Sequence, residues 1–175
     1  MKYTATRIIG IDMGHRVMTH GSKCKSLHGH RYQIEATVEA DALQTEGVQT
    51  GMVMDFGFLK DLMMDTIDRL CDHGMIMSFD DPLLPILYHE EPITNEHFLW
   101  SIDGSLPAYA FMHFEQGRYE AGKLTVVNFI PTAENLARWW FELLQQKSPL
   151  GIQMKSIKVW ETPNCYSIIP HEKRT

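Results

Sequence analysis

Three histidines and a cysteine lie close together near the start of the chain. His28 and His30 are two residues apart, so their side chains point the same way if this segment is extended. His15 ends the apolar segment before them, and Cys24 lies four residues before His28. Three imidazoles without a fourth protein ligand are the donor set of a catalytic zinc site, which keeps one position open for water or substrate. The sequence therefore predicts zinc at His15, His28 and His30, with a thiol beside it.

Each of these residues also has a common structural role. A lone histidine usually satisfies hydrogen bonds, and a free cysteine usually packs as a small apolar side chain. Lys23, Lys25 and a nearby metal would instead favour the thiolate form of Cys24. Imidazole also binds other transition metals, so zinc is inferred from the donor set. Cys71 and Cys165 have no comparable surroundings, and we expect both to be structural.

Length and composition predict one soluble domain. A chain of 175 residues with 44% hydrophobic and 22% charged residues can bury a sizeable core. Its net charge of −6 argues against broad binding to nucleic acid or to anionic membranes. The sequence contains neither an apolar run long enough for a membrane helix nor a signal-peptide core. Its three cysteines are unevenly spaced and do not form a disulfide framework. These features predict a reduced, cytoplasmic protein.

The chemical residues must be positioned by strands and helices that the hydrophobic pattern predicts. Apolar and polar residues alternate over 3–15 and 29–39, which indicates two strands with His15 ending the first and His30 beginning the second. Helical spacing predicts a helix over 56–71, with Asp55 as its N-cap. A second helix follows Pro131-Thr132, and strands are predicted at 155–161 and 166–169. The order β-β-α-(insert)-α-β-β favours an α+β fold with an antiparallel sheet covered by helices.

Residues 80–122 are the least regular part of the chain. Their proline and glycine content is compatible with a short helix near 82–88 and a hairpin across 108–130. The segment contains several metal-binding residue types, namely His89, Glu90, Glu91, Glu96, His97 and His113. A second metal site is conceivable there, but acidic loop residues are usually solvated, so a surface decoration or lid is favoured.

Several separated motifs together resemble the 6-pyruvoyltetrahydropterin synthase family, which includes the 6-carboxytetrahydropterin synthases of the queuosine pathway. The motifs, in chain order, are His15-Arg16, Cys24-x-x-x-His28-Gly29-His30, Gly51-Met52-Val53-Met54-Asp55-Phe56, Asp72-His73, Pro131-Thr132-Ala133-Glu134-Asn135-Leu136-Ala137 and Glu161-Thr162. The resemblance covers most of the chain outside 80–122, where the family is usually much shorter. It implies one domain over 1–175 with an insertion at about 80–122.

The resemblance also implies the tunnelling fold (T-fold) and its assembly. This fold has a four-stranded antiparallel sheet with two helices on one face, in the order β-β-α-α-β-β. Sheets from several subunits join into a barrel trimer, and two trimers stack into a homohexamer. The expected partners are therefore a small pterin triphosphate and further copies of the chain, with active sites at subunit interfaces.

The activity implied by the resemblance is zinc-dependent lyase chemistry on 7,8-dihydroneopterin triphosphate. In the queuosine branch the cysteine lies four residues before His-Gly-His, as Cys24 does here, and in the biopterin branch the interval is longer. This spacing favours 6-carboxytetrahydropterin, acetaldehyde and triphosphate as products. The alternative product is 6-pyruvoyltetrahydropterin. A non-catalytic zinc- or pterin-binding oligomer, and a three-histidine metallohydrolase on another scaffold, are hypotheses of other classes.

The resemblance assigns roles to individual residues. Cys24 would abstract a proton, while Asp72 and His73, from a neighbouring subunit, would complete a Cys–Asp–His set. Glu161 would anchor the pterin, because a carboxylate can accept two parallel hydrogen bonds from its amino-pyrimidine edge. Thr132 and Glu134 lie in a turn that the family places near the pterin. Capping of the following helix and a favourable interaction with its dipole are adequate alternative roles for these two residues.

Basic residues near the metal motif are candidates for holding the triphosphate. They are Arg16, His20, Lys23 and Lys25. Ordinary surface charge is the commoner role for each of them. Retention of Cys24, Asp72, His73 and Glu161 argues against the non-catalytic hypothesis.

Overall fold

Two long antiparallel strands form the centre of the sheet. The computed structural model describes residues 1–87, 111–114 and 122–170. Strand β1 (Tyr3–His15) pairs with β2 (His28–Ala40) along its whole length, with Tyr3 opposite Ala40 and His15 opposite His28. Both alternating segments are therefore confirmed as strands. Their register brings the three histidines of the predicted metal site to one end of the hairpin.

The sheet is larger than the sequence predicts. The further strands are β3 (Gly74–Ser78), β4 (Phe111–Phe114), β5 (Lys123–Val127), β6 (Gln153–Thr162) and β7 (Cys165–Pro170). The strand order is β4-β5-β3-β1-β2-β6-β7. Strands β1, β2, β6 and β7 are the antiparallel group of four that was expected.

The prediction of a four-stranded sheet is wrong because β3, β5 and β4 extend the sheet beyond β1. We call these three strands the sheet extension. Strand β3 runs parallel to both β1 and β5, whereas β4 and β5 are antiparallel. Strand β3 is short, and its last three residues are all buried. Its sequence therefore does not alternate between apolar and polar residues. The period-2 pattern that identifies a half-buried strand is therefore missing.

The predicted helices are present. Helix α1 (Phe56–Met63) continues through a π-helical turn (Met64–Asp68) into a short helix α2 (Arg69–Cys71). Asp55 caps α1 as predicted, since its carboxylate accepts hydrogen bonds from the amides of Gly57 and Phe58. In the described part of the chain, the other α-helices are α3 (Leu84–Leu87) and α4 (Ala133–Lys147). Among the described residues, no helix combines the length and the apolar character that a membrane crossing requires.

Helices α1 and α4 cover one face of the sheet, as expected for the family. One face of the central strands, which includes Ile11 and Ile34, is buried against them, and Trp139 and Trp140 of α4 are fully buried in this core. A second, smaller apolar cluster lies in the sheet extension and around α3. It consists of Met77, Leu84, Met112, Leu124 and Val126.

The insertion is partly built into the sheet. Pairing of β4 with β5 confirms the hairpin expected across 108–130, and α3 confirms the short helix near 82–88. The hypothesis of a second metal site falls on His89, Glu90, Glu91, Glu96, His97 and the side chain of His113, which lie outside the described residues. That hypothesis, and the single-domain boundary at 1–175, stay predictions.

Candidate metal centre and active site

The three histidines converge at the end of the β1–β2 hairpin. His15 and His28 are directly opposite each other, and His30 lies two residues along β2 on the same face. One ring nitrogen from each histidine lies within 4.8 Å of the others. The ring centroids of His15 are 4.6 Å from His28 and 5.3 Å from His30. This arrangement could hold a metal ion, as the sequence predicts.

Backbone carbonyls orient two of the three rings. Nδ1 of His15 lies 2.8 Å from the carbonyl oxygen of Pro131, and Nδ1 of His28 lies 2.8 Å from that of Ser26. A carbonyl only accepts hydrogen bonds, so each Nδ1 carries the proton and Nε2 keeps an unprotonated lone pair. Metal-binding histidines are commonly oriented in this way. The donor set therefore fits a metal bound through Nε2.

Burial keeps His15 and His30 in the form that binds metals. It lowers the pKa of His15 and of His30 below the ordinary value of 6.5, although the charge of Glu161 acts in the opposite direction. His15 is only 1% exposed. Because a metal binds neutral imidazole, both rings are in the competent state near neutral pH.

Glu161 and Tyr32 complete the surroundings of the histidines. Glu161, near the end of β6, places Oε1 3.5 Å from Nε2 of His15 and 3.9 Å from Nε2 of His30. The hydroxyl of Tyr32 donates to the same oxygen at 3.3 Å. Burial, reinforced by the charge of Glu161, raises the pKa of Tyr32, so the phenol remains a donor. The sequence interpretation missed Tyr32, although its alternation with His28 and His30 places it on the same face of β2.

Cys24 lies in the loop that joins β1 to β2, the two strands that carry the metal histidines. It belongs to a 3₁₀ turn (Lys23–Lys25) and is partly exposed. Its carbonyl accepts a hydrogen bond of 2.9 Å from the amide of Val17, which ties the turn to the segment just after His15. Cys71 is the buried structural cysteine that was expected, and burial raises the pKa of its thiol to about 12. Cys165 is exposed, so the expectation of a packed, structural side chain is wrong for it.

Asp72 and His73 form a pair immediately before β3. Nδ1 of His73 lies 2.6 Å from Oδ2 of Asp72, while Oδ1 of Asp72 accepts from the amide of Asp12 at 2.9 Å. Burial alone would raise the pKa of Asp72, but the Asp12 amide and His73 outweigh it and hold that pKa below its usual value. The described contacts of the pair therefore run to β1 and β5 rather than to the histidine cluster.

Two open cavities meet at residues 29–31. One, of about 600 Å³, is lined by His30, His73 and Lys123 among others. The second, of about 800 Å³, is lined by His30, Trp160 and Glu161 among others. His30 thus borders both cavities, with His73 in one and Glu161 in the other.

The remaining predicted residues lie near the site in different settings. Thr132 caps α4 by accepting from the amide of Asn135, and Glu134 is exposed in the first turn, so both have the helix-terminal roles that were considered. Arg16 is not an exposed triphosphate candidate, because it is buried with Nε 3.2 Å from Oδ2 of Asp81. The other basic candidates, His20, Lys23 and Lys25, are exposed.

Comparison with known proteins agrees with these motifs. Residues 4–172 match the family described as 6-pyruvoyl tetrahydropterin synthase. A Rickettsia felis protein named 6-carboxy-5,6,7,8-tetrahydropterin synthase is 31% identical over 163 residues, which cover 92% of this chain and 95% of the relative.

Solved structures show the same fold. An uncharacterized protein from Wolinella succinogenes is 28% identical, with a TM-score of 0.75 over 98% of this chain and 99% of its own. The 6-pyruvoyl tetrahydropterin synthase of Caenorhabditis elegans, at 18% identity, has a TM-score of 0.58 over 98% of this chain and 97% of its own. Because the family match spans residues 4–172 and the relative from Rickettsia felis is 31% identical over most of the chain, the chain belongs to the 6-pyruvoyl tetrahydropterin synthase family.

Proposed function

We propose that this protein is a 6-carboxy-5,6,7,8-tetrahydropterin synthase. It converts 7,8-dihydroneopterin triphosphate and one water molecule to 6-carboxytetrahydropterin, acetaldehyde and triphosphate, as a step of queuosine biosynthesis. The observation that carries the proposal is the convergence of His15, His28 and His30 beside the carboxylate of Glu161. The names of curated relatives, including that from Rickettsia felis, support the carboxy product.

The metal proposed for the three histidines is zinc. Neutral imidazoles turned inward through Nε2 suit zinc, and three protein ligands leave a position open for substrate. Bound zinc would act as a Lewis acid that holds side-chain oxygens of the substrate and acidifies the adjacent C–H bonds. The carbonyls of Pro131 and Ser26 keep the rings of His15 and His28 in the required orientation before the metal arrives.

Glu161 is proposed to bind the pterin ring. Its carboxylate is 26% exposed and borders the larger cavity, so a planar ligand can reach it. The 2-amino group and N3–H of a pterin lie side by side, and a carboxylate can accept both hydrogen bonds in parallel. Tyr32 donates to Oε1 from within the core and limits rotation of the carboxylate. Thr132 and Glu134 are proposed as weaker contacts at the same end of the sheet.

Cys24 and the Asp72–His73 pair are proposed to move protons. Cys24 takes a proton from the substrate side chain, and His73 transfers protons at Nε2 while Asp72 holds Nδ1. The side chain of His73 is 78% exposed and therefore accessible to a neighbouring molecule. We propose that a neighbouring subunit supplies this pair, in a homohexamer built from two trimers. All three cysteines are free, which supports a reducing, cytoplasmic setting.

A single incubation tests this function. Purified protein is mixed with 7,8-dihydroneopterin triphosphate, with and without added zinc, and the products are identified by mass spectrometry. Acetaldehyde together with 6-carboxytetrahydropterin is the expected outcome. Release of 6-pyruvoyltetrahydropterin would assign the chain to the other reaction of the family. Absence of metal-dependent turnover would contradict both and favour a non-catalytic pterin- or zinc-binding oligomer.

A further inference from the structure

Lys123, the first residue of β5, reaches across β3 to the Asp72–His73 pair. It lies opposite Gly74 in the parallel pairing of β3 with β5. Its ammonium group donates a hydrogen bond of 2.7 Å to the carbonyl oxygen of Asp72. A residue of the sheet extension therefore contacts the backbone of the proposed proton-transfer pair directly.

Gly74 provides the space for this contact. A Cβ atom at Gly74 would lie 3.0 Å from Cδ, 3.1 Å from Cγ and 3.2 Å from Cβ of Lys123. These atoms are the stem of the side chain rather than its flexible end, so a methyl group there would have to displace the stem. The absence of a side chain at Gly74 thus allows Lys123 to pass over β3.

The backbone that Lys123 holds is strained. His73 is in the left-handed region, with φ of 52°, which a residue other than glycine rarely adopts. Such a conformation persists only where its surroundings fix it. The amide of His73 donates to the carbonyl of Asp12 at 2.7 Å, and the amide of Asp12 donates to the Asp72 carboxylate at 2.9 Å. Lys123 adds a further hydrogen bond, to the carbonyl of Asp72.

We propose that Lys123 is a positioning residue for His73. Its ammonium group fixes the carbonyl of Asp72, and this keeps His73 in the left-handed conformation that presents its imidazole to the cavity. The sheet extension thereby contributes to the reaction through a residue that does not touch the substrate. This inference rests on the proposed function only for its effect on turnover, because the effect on the backbone can be measured without substrate.

The main test is Lys123→Met, which keeps a straight apolar stem and removes the ammonium group. Backbone amide hydrogen exchange at His73 should become faster by about tenfold, because the turn loses one of its hydrogen bonds. Turnover should fall by about 10- to 100-fold in kcat from misplacement of His73, with KM changed by less than about threefold and zinc content unchanged. Lys60→Met, which removes an exposed charge from α1, is the matched control and should resemble the wild type.

Two further variants separate positioning from general stability. Gly74→Ala keeps the charge of Lys123 but displaces its stem, so it should speed exchange at His73 and lower kcat in the same direction. Lys123→Arg keeps a donor of similar reach and should recover part of both losses. Normal exchange at His73 in both Lys123→Met and Gly74→Ala would overturn the proposal, even if the wild type is active. If the wild type has no activity, faster exchange in these two variants still supports the positioning role.

Discussion

His15 has more interactions than any other side chain described in the site. Its Nδ1 donates to Pro131, its ring lies edge-on to Tyr32, and Nε2 faces Glu161 at 3.5 Å. Rotation of the ring would break the hydrogen bond to Pro131 inside the core. The ligand is therefore oriented by the folded chain before any metal binds, which reduces the ordering that binding requires.

Replacement of one metal ligand should remove the metal. His28→Ala leaves two imidazoles, which is too few for a stable site in which three protein ligands hold zinc. We expect the purified variant to contain little zinc by plasma mass spectrometry, while its circular dichroism stays close to that of the wild type. His20→Ala changes an exposed histidine outside the cluster and should keep full zinc content. A normal zinc content in His28→Ala would exclude this residue from the ligand set.

Cys24→Ala should separate metal binding from catalysis. The variant keeps all three imidazoles, so its zinc content should match that of the wild type. Its kcat should fall by roughly 10²–10⁴-fold, the range contributed by a positioned general base. Cys165→Ala, at an exposed cysteine on β7, serves as the control. Full activity of Cys24→Ala would show that another group takes the proton.

Acid should destabilise the metal-free protein. Burial holds the pKa of His15 and His30 below 6.5, so the unfolded chain binds more protons than the folded one once the pH falls below about 6.5. The free energy of unfolding must then decrease as the pH falls towards the folded-state pKa values. Urea unfolding of the metal-free protein from pH 7.5 down to about pH 5 would measure this decrease. A flatter dependence is expected for His15→Gln, and no dependence in the wild type would contradict the assignment.

At the scale of elements, the β1–β2 hairpin and the start of α4 build the site together. The hairpin register sets His15 opposite His28, and the segment before α4 supplies the carbonyl of Pro131. Helix α1 is followed by a π-helical turn and by α2, and Asp72 and His73 come directly after α2. π-Helical turns are frequent at functional sites.

Helix α1 should depend on its N-cap. Asp55→Ala removes the carboxylate that accepts from the amides of Gly57 and Phe58, and loss of such a cap costs about 0.5–2 kcal/mol. Urea unfolding should show this decrease in the free energy of unfolding. Glu46→Ala, in an exposed loop before the helix, is the control and should change stability by less than about 0.5 kcal/mol. An unchanged stability in Asp55→Ala would show that α1 is fixed by packing alone.

Elements with a clear period were predictable from the sequence. The alternation of β1 and β2 and the apolar stripe of α4 each report a single buried face, and the structure confirms all three. Strand β3 was missed because its consecutive buried residues lack a period, and its partner β5 is distant in sequence. Parallel pairing needs such distant partners, so local patterns do not reveal it.

The candidate site was predictable where neighbouring residues form it. His28 and His30 share a face by alternation alone, and His15 follows from the end of the preceding strand. The hydrogen bond from His15 to the carbonyl of Pro131 and that from Lys123 to the carbonyl of Asp72 join residues that are 116 and 51 positions apart. Such contacts depend on strand order and register, which the sequence does not show directly.

At the scale of the whole molecule, the proposed division of the site between subunits can be tested by complementation. Cys24→Ala and His73→Ala should each be inactive. Coexpression should place an intact Cys24 of one copy beside an intact His73 of another, and restore about a quarter of wild-type activity if subunits mix randomly. Light scattering would measure the expected hexamer in the same samples. Mixed oligomers without activity would show that each site is formed within one subunit.

The contact between β1 and the sheet extension is short. Only residues 13–15 of β1 pair with residues 74–76 of β3, and the extension has a small apolar cluster of its own. Such a boundary is where a protein can open sub-globally, losing one cooperative unit while the remainder stays folded. Opening there would release His73 and Lys123 but leave His28 and His30 paired in the hairpin. Mild denaturant should therefore abolish turnover at a concentration at which the protein still retains its metal.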